Sequence, residues 1–213
     1  YDKGDIADSP QGLDDLINMI NENPSVLDET IITYNAEQNS TGFSIYWFLV
    51  NKLGQTGWDF INKIGTTHPV LRSSSSSIVS SILDNEASIG LFVSPIAFLQ
   101  EQELHPDIGW SFVKDGQPIL MRSMAITKQA ASPNSARLLV DFLLSQEGQL
   151  ALAYGWLTPF RSDIANVDLF TSSETGEAHI HFDEVIREVG LDNLIFINLD
   201  PEIIKPENKE NFI

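Results

Sequence analysis

Ser73-Ser74-Ser75-Ser76-Ser77-Ile78-Val79-Ser80-Ser81-Ile82-Leu83, followed by Asp84-Asn85-Glu86-Ala87 and then Ser88-Ile89-Gly90-Leu91-Phe92-Val93, is the stretch that decides the fold. Serine hydroxyls directly ahead of an apolar-periodic segment read as a helix N-terminus, because their oxygens accept from the first unpaired backbone donors. The helix is expected over 78–84. Residues 88–93 form an unbroken apolar run, the pattern of a strand in a parallel sheet covered on both faces.

Working outward, the same alternation recurs. Leu13, Leu16, Ile17 and Ile20 have helical spacing behind Ser9-Pro10, and Glu22-Asn23-Pro24 ends that helix. Ile31-Ile32-Thr33-Tyr34 is a short buried strand, followed by Asn39-Ser40-Thr41-Gly42 opening a helix from Phe43 to Leu53. Trp58 to Ile64 is helical, and His68 to Leu71 extended. Ile108 to Val113 and Pro118 to Ile126 are expected strands around the turn Lys114-Asp115-Gly116-Gln117. Ser132 is the expected N-cap of a helix with Pro133 at its first position and Ala136, Leu139, Val140, Leu143 and Leu144 on one face. Gln146 to Tyr154 is a further helix, 166–175 is loop-like, and Leu194 to Ile197 is a late strand. Strands alternating with helices define an α/β fold.

Composition narrows the function classes. The 213 residues are 42% hydrophobic and 9% aromatic, enough for a packed core. Thirty acidic against twelve basic residues give a net charge of −18, which excludes nucleic acid as a plausible partner and disfavours an anionic membrane surface. With no cysteine there is no disulfide, thiolate nucleophile or Cys-type zinc site. No apolar run approaches the ~18 residues that span a bilayer, so direct membrane insertion is not expected. The start at Tyr-Asp-Lys without methionine reads as a processed or truncated chain with its signal removed.

No G-x-S-x-G elbow, Walker A loop, dinucleotide G-x-G-x-x-G or H-E-x-x-H occurs, so catalysis is not expected, nor any cofactor. What remains is a pair of polar helix starts. A helix N-terminus carries partial positive charge and exposed N–H groups, which suit an anion. Asn39, Ser40, Thr41 and Gly42 form one candidate cradle and Ser74, Ser75 and Ser76 the other, with Ser94 at the end of the apolar strand. Arg72 and Arg122 are the cations suited to a bidentate oxyanion contact. Plainer readings compete at each position: ordinary caps for the two turns, surface ion pairs for the arginines, and core packing for Trp47 and Trp156. His179-Ile180-His181 with Asp183 and Glu184 has metal-ligand residue types, and its plain reading is a solvated polar segment.

The run Asp141-Phe142-Leu143-Leu144-Ser145-Gln146-Glu147-Gly148-Gln149, followed by Gly155-Trp156-Leu157-Thr158-Pro159-Phe160-Arg161, resembles the C-terminal signature of type 2 periplasmic solute-binding proteins of ABC transporters. Within them the chain is most similar to the ferric-iron and organophosphate group, extracellular solute-binding family 1. Pro118 to Lys128 looks like that family's return strand, Ser73 to Gly90 its serine-rich helix and strand, and Gly190-Leu191-Asp192-Asn193-Leu194 its late segment. The resemblance implies a mixed sheet flanked by helices, with one complete lobe plus part of the other. Residues 1–25 would be the crossover segment and helix, 26–115 the second lobe, and 116–213 the return strand and helices of the first lobe, whose N-terminal part has no counterpart here. It further implies a periplasmic or cell-envelope location, a small anionic solute, and a membrane permease or a sensor kinase as partner. Ferric-binding members carry adjacent tyrosines where Ser94-Pro95-Ile96 stands, and these residues supply no phenolate. A phosphorylated metabolite or phosphonate is therefore the expected solute, with ferric iron or another metal held by other ligands as the alternative.

Overall fold

The computed structural model describes residues 1–171, 179–198, 200–203 and 205–212, the side chains of 103 and 171 excepted. The chain divides into two units, one formed by residues 1–120 with 188–213 and the other by 121–187.

The first unit is built around β1 (Ile31–Tyr34), whose four residues are all buried. β2 (Val70–Arg72) and β3 (Ile89–Gly90) pair with it on either side, both parallel, in the order β2-β1-β3. Alternation along β1 serves two cores. Ile31 packs with Leu49 and Phe60 and with Leu13, Leu16 and Ile20 of α1 (Leu13–Glu22). Its neighbour Ile32 faces the other way, to Ile78 and Ile82 of α4 (Ser75–Leu83). α2 (Ser40–Leu53) and α3 (Gln55–Gly65) form the crossover from β1 to β2. α5 (Pro95–Leu104) follows β3. Gly90 lets α4 approach the sheet: a Cβ there would stand 2.8 Å from Ile78 Cγ2 and 2.9 Å from Ile82 Cδ1.

The apolar run 88–93 is shorter as a strand than expected. Leu91 still donates to Ile32 O at 2.9 Å, but Phe92 turns to φ +58° and ends the ladder. The strand expected over 108–113 does not form, and the one expected over 118–126 is confined to Gln117–Leu120. β4 (Gln117–Leu120) pairs in parallel with β5 (Leu194–Ile197), Gln117 opposite Leu194 and Leu120 opposite Ile197. Ile108 instead makes an isolated antiparallel bridge with Asp2, the antiparallel element among parallel strands. α1 begins at Leu13, three residues later than a Pro10 start. Its cap Gly12 has no side chain, so the Asp115 carboxylate accepts from Leu13 N at 2.7 Å and Asp14 N at 3.0 Å.

The second unit opens with irregular chain, then α6 (Pro133–Leu144) and α7 (Gln146–Tyr154). Pro133 occupies the first helical position as expected, but Ser132 makes no side-chain cap bond. Ser145 does cap α7, accepting from Gly148 N at 3.1 Å. α8 (Asp168–Thr171) lies in the stretch expected as loop, and 172–175 falls outside the described residues. α9 (Phe182–Val189) closes the unit, and α10 (Pro206–Phe212) ends the chain in the first unit. Among the described residues no helix is long and apolar enough to cross a membrane.

Candidate functional site

Because β1, β2 and β3 run in parallel, their carboxyl ends at Tyr34, Arg72 and Gly90 share one edge of the sheet. Each end leads into a helix N-terminus, of α2, α4 and α5 in turn. Ligands of open α/β sheets bind beyond this edge. The two turns singled out from sequence meet there.

Asn39 joins them. Its Oδ1 accepts from Gly42 N at 2.7 Å, capping α2, while its Nδ2 donates to Ser73 O at 2.6 Å. Ser74 caps α4 through a reciprocal pair with Ser77, Ser77 N donating to Ser74 Oγ at 3.1 Å. The Ser75 hydroxyl then links all three strand ends, bonding the Tyr34 hydroxyl and accepting from Ser94 N at 3.2 Å. The amides of Ser40, Thr41, Ser75 and Ser76 find no acceptor among the described residues. Two helix dipoles and four such amides therefore lie in turns locked together by one amide side chain.

Two phenols, of Tyr34 and Tyr46, are buried at this edge. Burial raises the Tyr34 phenol above its ordinary value, partly offset by its hydroxyl bond to Ser75. Tyr46, bonded to Thr33 Oγ1 at 2.5 Å, is pushed up by burial to about 12. Gly42 is explained by packing, since a Cβ would collide with Tyr34 Cβ. Ser74 and Ser76 are exposed and Ser75 half-buried.

The arginines are placed differently from the turns. The Arg72 guanidinium lies against Glu86 at 3.1 Å and donates through Nε to Ser81 Oγ at 3.2 Å and through Nη1 to Leu71 O at 3.3 Å. Ser81 also donates to Glu86 at 2.9 Å, so the three side chains form a closed set within the α4 layer. Arg122 belongs to the second unit, exposed in the irregular chain after β4. Trp47 packs against Phe43 and Phe212, the core reading of that residue.

In the second unit the histidine segment is not solvated. His181 is 2% exposed; its Nε2 donates to Arg161 O at 3.0 Å, and Nδ1 accepts from Asp183 N at 3.0 Å at the start of α9. His179 stacks on Trp156 with ring centroids 4.3 Å apart. A cleft of about 270 Å³ lies beside His181, Phe170, Asp183 and Arg187. Nothing in the local residue pattern of 179–184 signals that burial, because the covering aromatics come from elsewhere in the chain. Among the described residues no group of three or more His, Asp or Glu is gathered as metal ligands.

An open parallel sheet with polar helix starts collected at its carboxyl edge is a ligand-binding α/β architecture. Residues 2–156 match the family model described as bacterial extracellular solute-binding protein, and the chain belongs to that family. It is also similar to the crystal structure of the substrate binding protein of the ABC transporter from Agrobacterium tumefaciens, with a TM-score of 0.75 at 16% identity. At that identity the likeness shows the fold alone. The match covers 100% of this chain and 60% of that one, so this chain spans 60% of the length of the structure it resembles. No curated protein matches the sequence.

Proposed function

We propose that this chain is the solute-binding component of an ABC importer, acting in the periplasm or at the cell envelope without catalysis. It captures a small anionic solute, a phosphorylated metabolite or phosphonate, on the N-termini of α2 and α4. The observation that carries this reading is the Asn39 bridge between Gly42 and Ser73, which brings both sets of free amides to one edge. Backbone dipoles allow an anion to bind locally although the protein is strongly acidic overall. Family membership supports solute capture, and the structure it resembles is itself named as an ABC transporter substrate-binding protein. A permease is then the partner.

The ferric-iron reading fares worse on the same edge. Ser94, Pro95 and Ile96 follow β3 at the positions where ferric-binding members carry adjacent tyrosines, and they offer no phenolate oxygen. The same proposal keeps 1–25 as the crossover segment and helix, 26–115 as the second lobe, and 116–213 as the return strand and helices of a first lobe. The bare apolar face of α6 supports that assignment, since Leu138 is 70% and Leu139 57% exposed.

Isothermal calorimetry with sn-glycerol 3-phosphate and a methylphosphonate is the test. Heat is expected for at least one of them, and Ser75→Ala with Asn39→Ala should weaken it about tenfold, the scale of one or two hydrogen bonds to an anion. Unchanged affinity in both variants would overturn the site.

A further inference from the structure

The β1–α2 turn that carries Asn39, Ser40 and Thr41 is gripped from outside the sheet by the last helix of the chain. Within the turn, Asn35 Oδ1 accepts from Glu37 N at 3.0 Å and Gln38 N at 3.2 Å, and Asn39 N donates to Asn35 O at 2.8 Å. That leaves the carbonyl of Glu37 pointing outward. Lys209 of α10, 172 residues further on, donates to it from Nζ at 2.9 Å. The same ammonium stands 5.9 Å from the centroid of the Phe43 ring, in the first turns of α2. One turn on, Phe212 anchors α10 among three aromatics, with centroids 5.5 Å from Phe43, 5.7 Å from Trp47 and 5.3 Å from Trp58. Phe43 and Trp47 lie one helical turn apart on α2, so the anchor holds the very face whose N-terminus forms the cradle.

We propose that α10 is a strap in which Lys209 positions the β1–α2 turn, with Phe212 as its anchor. The proposal rests on the functional reading above for what the turn binds, not for the strap itself. The physics is simple. A turn of five residues with exposed amides is costly to order, and ordering it before a ligand arrives removes that cost from binding. An ammonium on a carbonyl is a charge-assisted bond, stronger than a neutral one. Lys209 touches no proposed ligand group, so it acts through the turn.

Amide hydrogen exchange of the full chain tests this without any ligand. Lys209→Met keeps the stem and removes the donor. It should speed exchange at the hydrogen-bonded amides of the turn, Glu37, Gln38, Asn39 and Gly42, about tenfold, the factor expected for loss of one charged hydrogen bond, while the cores around Ile31 and Ile78 exchange as before. Lys209→Arg restores a donor and should restore protection, a rescue that simple loss of packing would not give. Phe212→Ala should loosen the same segment. The affinity for sn-glycerol 3-phosphate should fall and recover in parallel. Unchanged exchange at Glu37, Gln38, Asn39 and Gly42, equal acceleration throughout the unit, or faster turn exchange with unchanged affinity would each overturn the strap. Absence of phosphate-ester binding in the native chain would instead overturn the functional reading, and the exchange data would still decide whether Lys209 holds the turn.

Discussion

The two units treat the same kind of helix in opposite ways. In the first, the apolar faces of α1, α3 and α4 are matched by a sheet, and Phe60, Leu49 and Ile78 reach full burial. In the second, α6 has an equally regular apolar stripe, yet none of its residues is buried and Leu138, Leu139, Phe142 and Leu144 stand in solvent. Amphipathic periodicity therefore states which face wants a partner; it does not state that the same chain supplies one.

The sharpest way to break that comparison is a pair of truncations read by chemical denaturation. Phe60→Ala should cost about 3–5 kcal/mol, the range for a buried aromatic. Leu138→Ala should stay within about 0.5 kcal/mol, as for an exposed position. Equal losses would mean that α6 is packed after all.

A second test uses alkali. The Tyr46 phenol titrates at about 12 in the fold against 10.0 for an exposed tyrosine, so the unfolded chain loses its proton first. The stability this neutral phenol contributes is complete below pH 10 and is lost as pH rises toward 12. The slope is about 1.4 kcal/mol per pH unit for one group. Tyr46→Phe should flatten the decline in urea midpoints above pH 10, and an unaltered decline would show that Tyr46 is not the group responsible.

Smaller again is Gly90→Ala. The added methyl meets the ends of Ile78 and Ile82 and should cost about 1–3 kcal/mol by overpacking. A neutral result would show that α4 can lift off the sheet, contrary to the tight first unit.

Local features of the chain were read well because their causes are local. The Ser74 cap of α4, the buried run 31–34 and the α7 span from Gln146 to Gly155 follow from residues adjacent in sequence, whereas the cap expected at Ser132 makes no side-chain bond. Where the cause is remote, the reading failed. The partner of Gln117–Leu120 is Leu194–Ile197, more than seventy residues on, and the apolar run at 108–113 expected as a strand pairs only through Ile108 and Asp2. Asp115 caps α1 from across the unit, and Trp156 buries His179, and neither contact leaves a trace in spacing. Phe92 shortened β3 by a backbone turn that its apolar side chain does not announce. At the candidate site, the two polar turns were legible as helix starts; the Asn39–Ser73 bond, the Tyr34–Ser75–Ser94 chain and the Lys209 grip were not, since each joins residues distant in sequence. Of the two readings open for Arg72, oxyanion contact or ion pair, the fold holds the ion pair, with Glu86 and Ser81 on its guanidinium.

The central claim is that two helix starts act as one receptor for an anion. Amide NMR during a titration with sn-glycerol 3-phosphate addresses it directly. Ser40, Thr41, Ser75 and Ser76 should shift together along a single saturation curve. Shifts confined to one turn, or curves with different midpoints for the two, would contradict it.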